Sequence, residues 1–138
     1  MVTRVKQDFA AGEQIFENYG QTNSNYFTMH GFSIEPNEFN CVDIPVAENN
    51  VICVSLHRLK GIFDKYGNIA KDLIDAIHVH LERYETSLEQ DEEILASITA
   101  SDIHAMRKKA TVKFRMTEKR LLASVLKKLH EIVNHSEL

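Results

Sequence analysis

The chain has 138 residues, 43% of them hydrophobic and 26% charged, with two cysteines and no tryptophan. This length and balance suit one globular domain with at most a small appendage, and they exclude a chain too polar to bury a core. A formal net charge of −4 and a pI near 6.0 exclude a general electrostatic grip on nucleic acid, which requires clustered cations.

Strand and turn signals fill the first third. Residues 2–5 alternate, "AAGE" (10–13) reads as a turn, and "QIFENY" (14–19) alternates again, with Ile15 and Phe16 as its apolar weight. Behind Tyr19 and Gly20 comes a small helical patch closed by Gly31 and Phe32. "NCVDIPV" (40–46) and "NVICVSL" (50–56) are β-branched runs joined by "AENN" (47–50), which reads as a hairpin with Pro45 at a strand end. Cys41 and Cys53 fit neither a zinc pattern nor a dense disulfide framework, so reduced thiols are expected. No apolar run approaches the ~20 residues that span a bilayer, and no signal-peptide core opens the chain. An intracellular protein of the cytoplasm or nucleus is expected, with no membrane partner.

After residue 60 the period changes. Ile69, Leu73, Ile77, Leu81, Tyr84 and Leu88 recur at helical steps, with Ile74 alongside, and predict one continuous helix. "TASD" (99–102) predicts the start of a second helix, capped by Thr99 or Ser101 with Asp102 at its positive end. Its stripe runs through Ile103, Met106, Ala110, Phe114, Leu121, Val125, Leu129 and Ile132. The short linker and the lack of a sustained heptad predict two long antiparallel helices rather than a coiled coil. The fold class expected is therefore α+β: a small antiparallel β portion followed by an all-α helical domain.

Other features have ordinary explanations. His78 and His80, two apart on a helix, point in different directions and are expected at the surface; no metal site is expected. The basic run "RKKATVKFR" (107–115) flanks an apolar stripe and is expected on a solvated face. Asn134-His135-Ser136 falls in the last residues of a helix and is expected to carry no chemistry.

Two segments together resemble a known family. "VKQDFAAGEQIFENYGQTNSNYFTMHGF" (5–32) resembles the last part of the SET domain in protein methyltransferases of the Rubisco large-subunit methyltransferase class, with its "GEQ" turn, Tyr-Gly strand end and closing Gly-Phe. Residues 81–129 look like the helical substrate-binding domain that follows SET in that class, through Tyr84, Thr86, Glu89 and Asp91, then Arg115, Glu118, Lys119 and Leu122. The resemblance implies residues 1–46 as the C-terminal part of a SET domain and residues 47–138 as the substrate-binding domain. It implies S-adenosylmethionine-dependent methyl transfer to a protein lysine, with Tyr19 in the catalytic position, Phe32 against the cofactor's adenine and His30 in the substrate channel. His30 departs from the pattern, because lysine-methylating members often carry tyrosine there. The family's glycine-containing cofactor motif and its Asn-His motif lie upstream of the Tyr-Gly strand, so this chain alone is expected to bind no cofactor and to be inactive. The alternative is a non-catalytic helical module that binds protein partners.

Overall fold

The structure is a computed structural model, and it describes residues 8–14, 19–47 and 50–136. Among these residues the elements run α1 (Asn23–His30), β1 (Val42–Ala47), β2 (Asn50–Val54), a single 3₁₀ turn (Leu56–Arg58), α2 (Leu59–Tyr66), α3 (Ala70–Leu81), α4 (Leu88–Ser97) and α5 (Ile103–Ser136). The α+β class expected from the sequence holds. The strand over 2–5 and the body of the strand over 14–19 lie outside the described residues. The turn over 10–13 is present, closed by the Glu13 amide donating to the Ala10 carbonyl at 3.1 Å.

Helix α1 starts and stops where its residues dictate. Thr22, in extended conformation, accepts a hydrogen bond from the Asn25 amide at 3.2 Å. Gly31 takes the left-handed conformation at φ 75° and returns its N–H to the Phe27 carbonyl, ending the helix. Asn23 then fixes the loop that follows: its amide side chain both donates to the Ile34 carbonyl and accepts from the Ile34 N–H, at 2.9 and 3.1 Å. Asn37 also donates to Asn23, and Asn40 accepts from the Asn23 backbone N–H. A buried amide with all these partners satisfied is a rigid brace.

Strands β1 and β2 pair antiparallel, with Val42 opposite Val54 and Ile44 opposite Ile52. Those four side chains point inward while Asp43 and Pro45 point out, the alternation a one-sided sheet requires. The inner face meets Leu59 and Ile62 of α2, Leu73, Ile74 and Ile77 of α3, and Leu122, Val125 and Leu129 of α5 in one core. The hairpin belongs to this core, which therefore continues across the expected boundary between residues 46 and 47.

Three sequence expectations change. Cys41 and Cys53 are joined in a disulfide rather than free, because the hairpin register brings their Cα atoms to 5.3 Å. The single helix expected through residues 69–88 is divided: α3 ends at Leu81, a turn follows, and α4 begins at Leu88. Ser87 causes the restart, since its hydroxyl accepts from the Gln90 amide while the Gln90 side chain accepts from the Ser87 amide. Among the described residues only α5 is long, with 34 residues, and α3 and α4 both pack on it. Finally, α5 is capped by Asp102, not by Thr99 or Ser101: its carboxylate accepts from the His104 and Ala105 amides at 2.8 and 3.0 Å. Asp102→Ala should cost about 0.5–2 kcal/mol in urea unfolding, whereas Thr99→Ala and Ser101→Ala should be close to neutral.

Candidate functional site

Tyr19, His30 and Phe32 come together. The Tyr19 and His30 rings stack with centroids 6.1 Å apart, and His30 and Phe32 lie 5.9 Å apart and nearly parallel. Buried Tyr26 stands behind them, 5.3 Å from Phe32 and 6.4 Å from His30. Helix α1 makes this possible, since Tyr26 and His30 are four residues apart and share a face, and the Gly31 turn folds Phe32 back toward them. Phe27, facing the other way, stacks on Phe114 at 4.6 Å and fastens the segment to α5.

Beside these rings a cavity of about 390 Å³ is lined by Tyr19, Gln21, Asn25, Tyr26, Met29 and His30. Tyr19 is 58% exposed, and Met29 and Phe32 are exposed too. Aromatic faces of this kind attract cations and offer flat surfaces to planar rings. Tyr26 and Asn23 were not singled out by the sequence; the spacing of Tyr26 from His30 was the available signal.

The second constellation joins α4 to α5. Asp91 is fully buried. Its carboxylate accepts from Lys119 Nζ at 2.6 Å, from Thr86 Oγ1 at 2.6 Å and from the Arg115 guanidinium. Lys119 also donates to the Thr86 carbonyl and sits over the Tyr84 ring at 5.0 Å. Burial alone would push the Asp91 carboxyl upward, but the hydrogen bonds from Arg115, Lys119 and Thr86 overcome it and hold it at about 2. Arg115 thus departs from the solvated face expected for the basic run, while Arg107 and Lys108 keep to it. Of the residues from 81–129 that carried the family resemblance, Thr86, Asp91, Arg115 and Lys119 therefore form an internal clamp between helices.

Next to this clamp the Tyr84 hydroxyl donates to Glu118 Oε2 at 2.6 Å. Burial raises the Tyr84 phenol well above its ordinary range, and acceptance by negatively charged Glu118 adds to the shift. Glu118 is itself raised, first by burial, with the nearby Asp43 charge adding and the Tyr84 hydrogen bond opposing. Tyr84→Phe removes that opposing bond, so the Glu118 titration midpoint, followed by ¹³C NMR of its carboxyl, should move further up. A raised carboxyl favours folding below the unfolded-state pKa and loses that contribution as pH rises through the folded value, so the variant's stability should fall with pH over a higher range.

His80 also differs from expectation. His78 is exposed, but His80 is half-buried, packs edge-on to Tyr84 at 5.8 Å, and has a buried Nδ1 without a hydrogen-bond partner among the described residues. Burial lowers its basicity, and the Arg83 charge adds to that. Among the described residues no group of His, Cys, Asp or Glu is placed to hold a metal ion, and no helix is long and apolar enough to cross a membrane.

No curated protein and no solved structure matches the chain. One family model does, described as Rubisco LSMT substrate-binding, over residues 68–122. The match spans α3, α4 and α5 as far as Leu122, and so contains the whole Tyr84–Asp91–Arg115–Lys119 clamp. Residues 5–32 lie outside it. The helical segment 68–122 is thus similar to the substrate-binding domain of the Rubisco LSMT family, as the residues from Tyr84 to Leu122 imply.

Proposed function

We propose that the chain is the closing part of a SET-type, S-adenosylmethionine-dependent protein-lysine methyltransferase, whose helical segment engages the protein substrate. The family match over residues 68–122 carries this reading. The meeting of Tyr19, His30 and Phe32 on one aromatic surface supports it, because methyl transfer needs the acceptor nitrogen and the methyl donor aligned along a water-poor wall. In this reading Tyr19 lines the transfer channel, His30 meets the substrate side chain, and Phe32 would lie against the adenine. The cofactor, when bound, supplies the methyl group.

These residues suit a sulfonium and a flat heteroaromatic ring. Among the described residues no carboxylate lines the cavity to meet ribose hydroxyls, so in this reading they make one wall of a cofactor site rather than all of it. Titration calorimetry of the 138-residue chain with S-adenosylmethionine should therefore detect no binding; a Kd below about 10 μM would overturn that point. For the function itself, the endogenous gene product should be immunopurified whole and given methyl-tritiated S-adenosylmethionine. Labelled N-methyl-lysine should appear in a co-purifying protein, and Tyr19→Phe should cut the rate by about 10²-fold or more. Absence of label, or label indifferent to Tyr19→Phe, would count against the reading.

Exposed Ile103 and Met106 at the start of α5 favour a second reading, a non-catalytic module that binds a protein partner. There Met106→Glu would abolish partner binding and no label would form.

A further inference from the structure

A second cavity, of about 340 Å³, opens where the end of α3, strand β1, the start of α1 and the middle of α5 meet. Cys41 and Val42 supply an apolar floor, and Ser24 lies at the α1 side. Its charged groups come from three elements: Asp43 on β1, Arg83 just after α3 and Glu118 on α5. None of the three is neutralised by an ion pair among the described residues. Tyr84 donates to Glu118 Oε2 and no other donor among the described residues meets that carboxylate, while the buried Nδ1 of His80, which lines the same cavity, has no partner among them either.

The two signs of charge line one cavity without pairing, since Arg83 lies within ion-pair distance of neither Asp43 nor Glu118. A simple cation would meet the carboxylates but be opposed by Arg83, and a simple anion would meet Arg83 but be opposed by two carboxylates. A ligand carrying both signs satisfies all three groups, because charge-assisted hydrogen bonds form at each end. The apolar floor leaves room for a short side chain. We propose that this cavity binds a small zwitterion of the α-amino acid class, its ammonium held by Asp43 and Glu118 and its carboxylate by Arg83. This site uses none of Tyr19, His30 or Phe32, so it stands or falls apart from the methyl-transfer reading.

The test is a ¹H–¹⁵N NMR titration of the full chain at pH 7 with L-alanine, with methylamine and acetate as single-charge controls. Alanine should shift the amides of Ser24, Val42, Asp43 and Arg83 saturably, binding about tenfold or more tighter than either control. Asp43→Asn and Arg83→Gln change exposed side chains and should leave the spectrum of the core intact. Each should weaken alanine about tenfold and erase its advantage over the single-charge ligand that the remaining groups still favour. Alanine binding no tighter than methylamine or acetate, shifts confined to other residues, or affinity unchanged in both variants would overturn the proposal.

Discussion

Asp91→Asn should destabilise the protein by about 3–5 kcal/mol, because it strands two cations that the native carboxylate neutralises. Lys119 is only 7% exposed, so its ammonium cannot reach bulk water without opening the contact between α4 and α5, and Arg115, at 26%, is only partly hydrated. Urea denaturation at pH 7 measures the loss. The double variant Asp91→Leu/Lys119→Met should recover part of it, since the more deeply buried of the two stranded cations is removed with the carboxylate while Arg115 stays unpaired. The pH dependence provides a second check. In the folded protein Asp91 is held at about 2, below its ordinary 3.8. A depressed carboxyl contributes stability above the unfolded-state pKa and loses it as pH falls through the folded value. The wild-type protein should therefore shed on the order of 2 kcal/mol between about pH 4 and pH 2, a slope that Asp91→Asn lacks.

Leu122→Ala should cost about 2–5 kcal/mol, also read by urea denaturation. Leu122 is fully buried among hairpin, α2 and α3 side chains, and deleting its branch leaves a hole that a disulfide-linked sheet and a long helix cannot easily collapse into. Met106→Ser, on the same helix but 59% exposed, should change stability by no more than about 0.5 kcal/mol. The comparison bears on how the family match is understood. Burial in the core makes folding the property that Leu122→Ala should impair, although the residue lies within the matched segment.

These expected results also explain why the resemblance resides where it does. A protein-binding surface can vary with its partner, but Asp91, Arg115 and Lys119 are constrained by one another. Their chemistry holds α4 and the preceding turn against α5, and so fixes how these elements sit relative to one another. The aromatic surface at Tyr19 is fastened to the same helix through the Phe27–Phe114 stack, so one long element carries both constellations.

Much of the local structure was legible in the sequence. The Val42–Val54 hairpin follows from two alternating β-branched runs, the end of α1 from Gly31, and the buried face of α3 from Leu73 and Ile77 at a spacing of four. Each of these depends on residues near in the chain, whose side chains share a face whatever else the protein does. The division between α3 and α4 was not legible in the periodicity, because Leu81, Tyr84 and Leu88 keep the helical step across the turn; the Ser87–Gln90 capping box decides it. The Cys41–Cys53 bond, the pairing of Asp91 with Lys119, and the placing of His80 and Glu118 on one cavity depend on contacts between separate elements. Such contacts come from packing, which no spacing along the chain encodes, and they turned a row of motif residues into a clamp.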